Sequence, residues 1–139
     1  MKYYRIFFFI SIFCYSFSSE AQSSDTLTYL NHIVATKSNY IGRPFSVLLD
    51  SLQLPIKAFN ISTYRSQNLK KESSILIGFA YANTPETIDL TFPRLEIIWQ
   101  IPNDAIATWD LYRIYDGAWN PSVQGYYQNK IILDLFVIE

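Results

Sequence analysis

The segment Leu95-Glu96-Ile97-Ile98-Trp99-Gln100-Ile101 decides the fold class of this chain. Its odd-numbered positions are all apolar and share one face, whereas the even-numbered positions include Glu96 and Gln100. Alternation with a period of two is typical of a strand that buries one side against a core. The segment therefore predicts a strand in a sheet with one covered face.

Three further segments have the composition of strands. Residues 56–62 and 75–81 are short, rich in β-branched or aromatic side chains, and bounded by Pro, Ser or Asn. The run 131–138 is almost wholly apolar, which favours a well-covered position inside the sheet. Polar connections are predicted at 63–73, which contains Lys70-Lys71, and at 82–93.

Two helices are predicted before the first strand. In the second, Pro44 suits a first helical position, and apolar side chains recur at i, i+3, i+4 and i+7 from Phe45 to Leu52. Asp25 is placed to cap the first helix. The apolar positions of that first helix are Leu27, Leu30, Ile33 and Val34.

The segment 104–116 permits two interpretations. Asp104 is a good helix cap and Gly117 a good residue after a helix end, so we predict a helix. The alternative is a strand, because Trp109, Leu111, Arg113 and Tyr115 also alternate and a hairpin turn could follow. With the helical interpretation, the order of elements predicts a two-layer α+β fold, with helices packed on one face of a mainly antiparallel sheet of about four strands.

The segment from Gly42 to Pro55 resembles small envelope domains of the β-lactamase-inhibitor-like class. In those domains a glycine opens a helix that ends in a Leu-Gly-x-Pro turn before a strand. Gln53 stands here where that glycine is expected. The positions that follow the outline are Gly42, Leu48, Leu49 and Leu54-Pro55. The resemblance covers about fourteen residues, and we assign no family from it.

The start of the chain has the order of a signal peptide. Lys2 and Arg5 precede the apolar run 6–17, and Ser19-Glu20-Ala21 supplies small residues for a peptidase. The run is too short for a permanent membrane span, which needs about 18 apolar residues. The prediction is a cleaved signal peptide at 1–21, a periplasmic or secreted protein, and no membrane span after cleavage.

Cleavage after Ala21 divides the chain into three parts. Residues 22–28 are a tether and helix start, and residues 29–139 are a single domain. The one Met and the one Cys, Met1 and Cys14, leave with the signal peptide, so the mature chain has neither. Disulfides and thiol catalysis are therefore not expected.

Composition excludes several classes of function. A net charge of -1 provides no field for gathering nucleic acid, so no nucleic-acid partner is expected. His32 is the only histidine and is predicted on a helix surface, which argues against metal sites and catalytic triads. Because the glycines are scattered, no phosphate-binding loop is expected either. We assign no cofactor, no metal and no catalytic residue.

The aromatic residues near the C-terminus are the candidate binding residues: Trp109, Tyr112, Tyr115, Trp119, Tyr126 and Tyr127. Such side chains suit a protein or sugar contact, but they serve equally well in a core. Trp119 and Tyr127 are expected to be the most exposed, because loop-like segments carry them. The first hypothesis is a non-enzymatic interaction or binding module that meets a protein or glycan of the cell envelope. The alternatives are a sugar-binding protein and a small glycan-directed hydrolase that uses Glu96 or Asp110.

Overall fold

The computed structural model describes residues 25–63, 70–80 and 92–139. The predicted signal peptide, residues 22–24 of the predicted tether and most of the predicted connection 82–93 lie outside these ranges. The elements are α1 (25–35), a 3-10 turn (Lys37–Asn39), α2 (Phe45–Ser51), β1 (Ala58–Ser62), β2 (Lys71–Gly78), β3 (Arg94–Asp104), α3 (Ala105–Tyr115), α4 (Pro121–Tyr127) and β4 (Ile132–Ile138).

The four strands form one sheet in the order β1-β2-β3-β4, and each neighbouring pair is antiparallel. Helices pack against this sheet and share a hydrophobic core with it. The predicted two-layer α+β fold is confirmed. The helical interpretation of 104–116 is also confirmed: Asp104 Oδ1 accepts a hydrogen bond from Ile106 N (2.9 Å), and Gly117 follows the helix with φ +69°.

The core lies under the face of β3 that the sequence identified, but Glu96 and Ile98 on the other face are buried as well, so the prediction of a single covered face is wrong for this part of the strand. Leu95, Ile97 and Trp99 are buried on the identified face. Ile101 was assigned to the same face, but it is 77% exposed. The register between β3 and β4 shifts between Ile98 and Trp99, and the regular pairing of the two strands ends there. Ile101 therefore extends beyond the covered part of the sheet.

Strand β2 begins earlier than predicted. The polar residues before Ser74 were assigned to a connection, but β2 starts at Lys71 and ends at Gly78. The end of β3 supplies the pairing partners, since Lys71 lies opposite Asp104. A β-bulge interrupts the register between residues 72 and 74. Gly78, at the end of β2, is regularly paired with Ala58 and Arg94.

Helix α4 was not predicted. It begins after Asn120, whose Oδ1 accepts hydrogen bonds from Ser122 N (2.9 Å) and Val123 N (3.1 Å), and Pro121 occupies its first turn. Both features are common at helix starts. Val123 and Tyr127, one turn apart, are fully buried. A segment read as loop therefore contributes two side chains to the core.

The outer strands of the sheet are β1 and β4, so the inner position predicted for residues 131–138 is wrong. Several amides of these two strands are bonded to nearby side chains or to a carbonyl outside the sheet. In β1, Phe59 N donates to Gly117 O outside the sheet (2.8 Å), and Ile61 N donates to Asn60 Oδ1 (2.8 Å). In β4, Leu135 N donates to Asp134 Oδ1 (2.8 Å), which also binds Lys37 Nζ (2.6 Å).

The helices within the described ranges are not long and apolar enough to cross a membrane.

Candidate functional site

A shallow open groove of about 470 Å³ lies between the end of α2 and the start of α4. Helix α2 and the connection 52–56 form one side, and the α3–α4 connection and α4 form the other. Phe45 and Leu48 of α2 are buried in the core. The groove is lined by the end of α2, from Leu49, and by the chain that follows it. The lining residues are Leu49, Asp50, Leu52, Gln53, Leu54, Pro55, Ile56, Trp119 and Gln124.

The rim of the groove carries three exposed polar side chains, Asp50, Gln53 and Gln124. None of them has a hydrogen-bond partner within the part of the chain that the structure describes. Carboxylate and amide groups offer acceptors, and the two amides also offer donors. Among the residues that the structure describes, no lysine or arginine lines the groove. Aliphatic and aromatic side chains beside a polar rim are a common arrangement at protein interfaces.

Trp119 joins this groove to the core. Its ring makes edge contacts with Phe45 and Phe59, each with ring centroids 6.1 Å apart, and lies nearly parallel to Tyr127 (6.4 Å, 21°). The expectation that Trp119 is among the most exposed of the six aromatic residues is wrong, because these contacts half-bury its side chain, whereas Trp109 is exposed. It both lines the groove and packs on the core.

Tyr127 also differs from the expectation. It was expected to be exposed, but it is 0% exposed because α4 turns it toward the sheet. Its ring stacks on Trp99 (5.5 Å, 16°) as well as on the groove residue Trp119. The Tyr127 hydroxyl donates a hydrogen bond to Glu72 Oε2 (3.1 Å).

Glu72 is the most unusual side chain of this region, because it is a carboxylic acid with no exposed surface. Trp99 Nε1 donates to its Oε1 (3.0 Å), and Asn103 Nδ2 donates to its Oε2 (3.4 Å), beside the Tyr127 hydroxyl. The bulge in β2 and the end of β3 place these groups around one carboxyl. The large majority of buried polar groups in proteins are bonded in this way, because an unbonded one costs free energy.

Burial determines the ionisation of this cluster. Desolvation raises the pKa of Glu72 to about 7, and the hydrogen bonds from Trp99, Tyr127, Asn103 and Thr108 only partly oppose that rise. Burial and the nearby Glu72 carboxylate raise the pKa of Tyr127 well above its ordinary value. Tyr127 therefore keeps its proton and remains a donor, while Glu72 changes charge near neutral pH.

The other predicted aromatic residues lie along α3 and α4. Trp109 is 43% exposed and makes an edge contact with Tyr112, which in turn contacts Phe59. Tyr112, Tyr115 and Tyr126 are partly buried against the core. Of the six predicted residues, only Trp119 lines the groove.

The acids considered for hydrolysis are not brought into the groove. Glu96 is buried on β3, where Ser74 Oγ donates to its Oε1 (2.7 Å). Asp110 is on the exposed side of α3 and pairs with Arg113. His32 is exposed on α1.

Sequence reasoning missed both Glu72 and the rim of the groove. Glu72 lies in a polar run that was read as a connection. The rim residues Asp50, Gln53 and Gln124 come from elements far apart in sequence, and no local pattern brings them together. Across residues 25–63, 70–80 and 92–139, no group of three or more His, Cys, Asp or Glu side chains is placed to hold a metal ion.

Comparison with known proteins gave no relative: no family model matches the chain, and neither the curated proteins nor the solved structures include a significant match.

Proposed function

We propose that this chain is a small exported, non-enzymatic binding module of the cell envelope, and that its groove binds an apolar polypeptide segment of a partner protein. The groove carries the proposal, because it combines half-buried Trp119 with aliphatic side chains and an unpaired polar rim. Tryptophan is enriched among the residues that dominate binding energy in protein interfaces. Export rests on the signal-peptide pattern of residues 1–21.

The chemistry of the lining favours a polypeptide partner. Most of the side chains are aliphatic, and the backbone between Leu52 and Ile56 is outside regular helix or strand. Asp50 is the one charged side chain among the described residues of the lining, so a basic residue beside the apolar segment complements it.

Sugar binding is the second candidate, because Trp119 stands beside planar carboxylate and amide side chains that can bond hydroxyl groups. Glycan hydrolysis has less support, since neither Glu96 nor Asp110 lines the groove.

The test is to obstruct the groove from its exposed rim. Gln124→Arg places a large cation at the rim, where it leaves the core intact and repels a basic partner. We expect capture of the partner polypeptide from envelope extract to fall by about tenfold, which corresponds to about 1.4 kcal/mol. The measurement is quantitative mass spectrometry of material bound to the immobilised protein, with a parallel array of envelope glycans.

Gln100→Arg is the matched control, because Gln100 is exposed on β3 and does not line the groove. The proposal predicts wild-type capture by this variant. Equal capture by both variants would show that the groove is not the binding site. If Gln124→Arg loses glycan binding but keeps polypeptide capture, the ligand of the groove is a sugar and not a polypeptide.

A further inference from the structure

The Glu72 carboxyl is linked to the groove by a short chain of direct contacts. Tyr127 OH bonds Glu72 Oε2 at 3.1 Å, and the Tyr127 ring stacks on Trp119 with centroids 6.4 Å apart. Trp119 lines the groove. One tyrosine therefore contacts both the buried acid and the tryptophan of the proposed binding surface.

We propose that Glu72 is a buried protonation switch, which shifts Tyr127 and thereby repositions the Trp119 ring at the groove. The regulatory consequence for ligand binding rests on the proposed function, but the movement of Trp119 does not.

The hydrogen bonds explain why the proton matters. When Glu72 is ionised, both of its oxygens only accept, and its bonds to Tyr127 and Trp99 are charge-assisted and stronger than neutral bonds. When Glu72 is protonated, one oxygen becomes a donor. If that oxygen is Oε2, it can no longer accept equally from Tyr127 OH and Asn103 Nδ2, and the Tyr127 hydroxyl must turn or move.

The surroundings assign the proton exchange to Glu72. Its bonded neighbours on β3, Trp99 and Asn103, do not titrate, and the titratable groups on α4 are Tyr126 and Tyr127. Burial raises the pKa of both tyrosines. Asp104, which caps α3, interacts electrostatically with Tyr126. The charged neighbour on β2 itself is Lys71, which is exposed.

The movement can be measured without a ligand. The protein is labelled with 5-fluorotryptophan, and its three fluorine resonances are assigned with single Trp→Phe variants and followed from about pH 5 to about pH 9. We expect the resonances of Trp99 and Trp119 to titrate together, with a midpoint near neutral pH. The Trp109 resonance should stay constant. That side chain is on α3, and its ring contact is with Tyr112 and not with Tyr127 or the Glu72 cluster.

Two variants separate the steps. Glu72→Gln removes the titrating group, so both resonances should lose their pH dependence. Tyr127→Phe keeps the ring but removes the hydroxyl, so Trp99 should still titrate while Trp119 should not. A Trp119 resonance that is flat in the wild type, or that still titrates in Tyr127→Phe, overturns the proposal.

The effect on binding is a separate arm. We expect capture of the groove's polypeptide partner to be about fivefold stronger at pH 8 than at pH 6, because ionised Glu72 holds Tyr127 more tightly. Glu72→Gln should abolish this ratio. If Trp119 titrates but nothing is captured at either pH, the proposed function has failed while the switch stands. If capture occurs equally at both pH values, the groove binds but Glu72 does not regulate it.

Discussion

At the scale of single residues, Gly117 combines a backbone requirement with a packing requirement. Its φ of +69° lies in the left-handed region. A Cβ there would be 3.0 Å from Cε2 of the Tyr112 ring and 3.2 Å from the carbonyl oxygen of Phe59. The close approach brings the end of α3 to the edge strand β1, where Phe59 N donates to Gly117 O.

Gly117→Ala should therefore be destabilising by about 1 to 3 kcal/mol, because it adds backbone strain and a steric conflict. The matched change is Gly125→Ala in α4, where nothing lies within 4 Å of the added atom. This second substitution should stabilise the domain by up to about 1 kcal/mol, since alanine favours helix. Urea unfolding of both variants checks the pair, and a shift of the same sign in both would contradict the argument.

At the scale of elements, helix α4 is the main departure from prediction. Asn120-Pro121 carries the sequence signal of a helix start, and Val123 and Tyr127 have helical spacing. Gly125 in the middle weakens the pattern, and the helix is only seven residues long. Its tertiary contacts, above all those of Tyr127, stabilise a segment whose intrinsic helical preference is low.

The cap of α4 gives a direct test. Asn120→Ala removes the acceptor for Ser122 N and Val123 N and should cost about 1 kcal/mol. Asn120→Asp keeps an acceptor oxygen at the same place, so its stability should remain close to that of the wild type. Thermal unfolding of the three proteins is the measurement. An equal loss in both variants would mean that the amide nitrogen, which donates to Ala118 O, is the group that matters.

The elements that could be predicted from the sequence are those whose hydrophobic periodicity agrees with the burial of their side chains in the folded domain. Strand β3 buries all but Ile101 of the side chains that its periodicity selects, and helix α2 buries Phe45 and Leu48 of its four. Strand β2 could be predicted only in part, because Glu72 and its polar neighbours gain their burial from pairing with β3, a contact between distant segments. The candidate site was predictable only through Trp119, because its partners come from α2, from the connection that follows and from α4.

At the scale of the whole molecule, the buried acid makes stability depend on pH. Folding raises the pKa of Glu72 from 4.5 to about 7, so the folded state holds its proton more tightly than the unfolded state. Below the unfolded-state pKa, Glu72 is protonated in both states, and it does not make the free energy of unfolding depend on pH. As pH rises from there to about 7, the unfolded state ionises first, and the folded state loses about 3 kcal/mol of relative stability.

The prediction concerns the difference between two proteins. The free energy of unfolding of the wild type, compared with that of Glu72→Gln, should decline between pH 4.5 and about pH 7 and stay constant above it. Chemical denaturation at a series of pH values measures this difference and cancels the contribution of the other carboxyl groups. A parallel course of the two curves would show that Glu72 does not change its proton affinity on folding.

The outer strands have a consequence at high protein concentration. A sheet grows from one molecule to the next when a foreign strand finds free amide groups at its edge. Here the side chains of Asn60 and Asp134 already accept hydrogen bonds from the amides of Ile61 and Leu135. The carbonyl of Gly117 accepts the hydrogen bond of the Phe59 amide. An incoming chain must first break these bonds. Each outer edge of the four-stranded sheet therefore offers fewer free amides to a foreign strand, which disfavours edge-to-edge pairing between molecules.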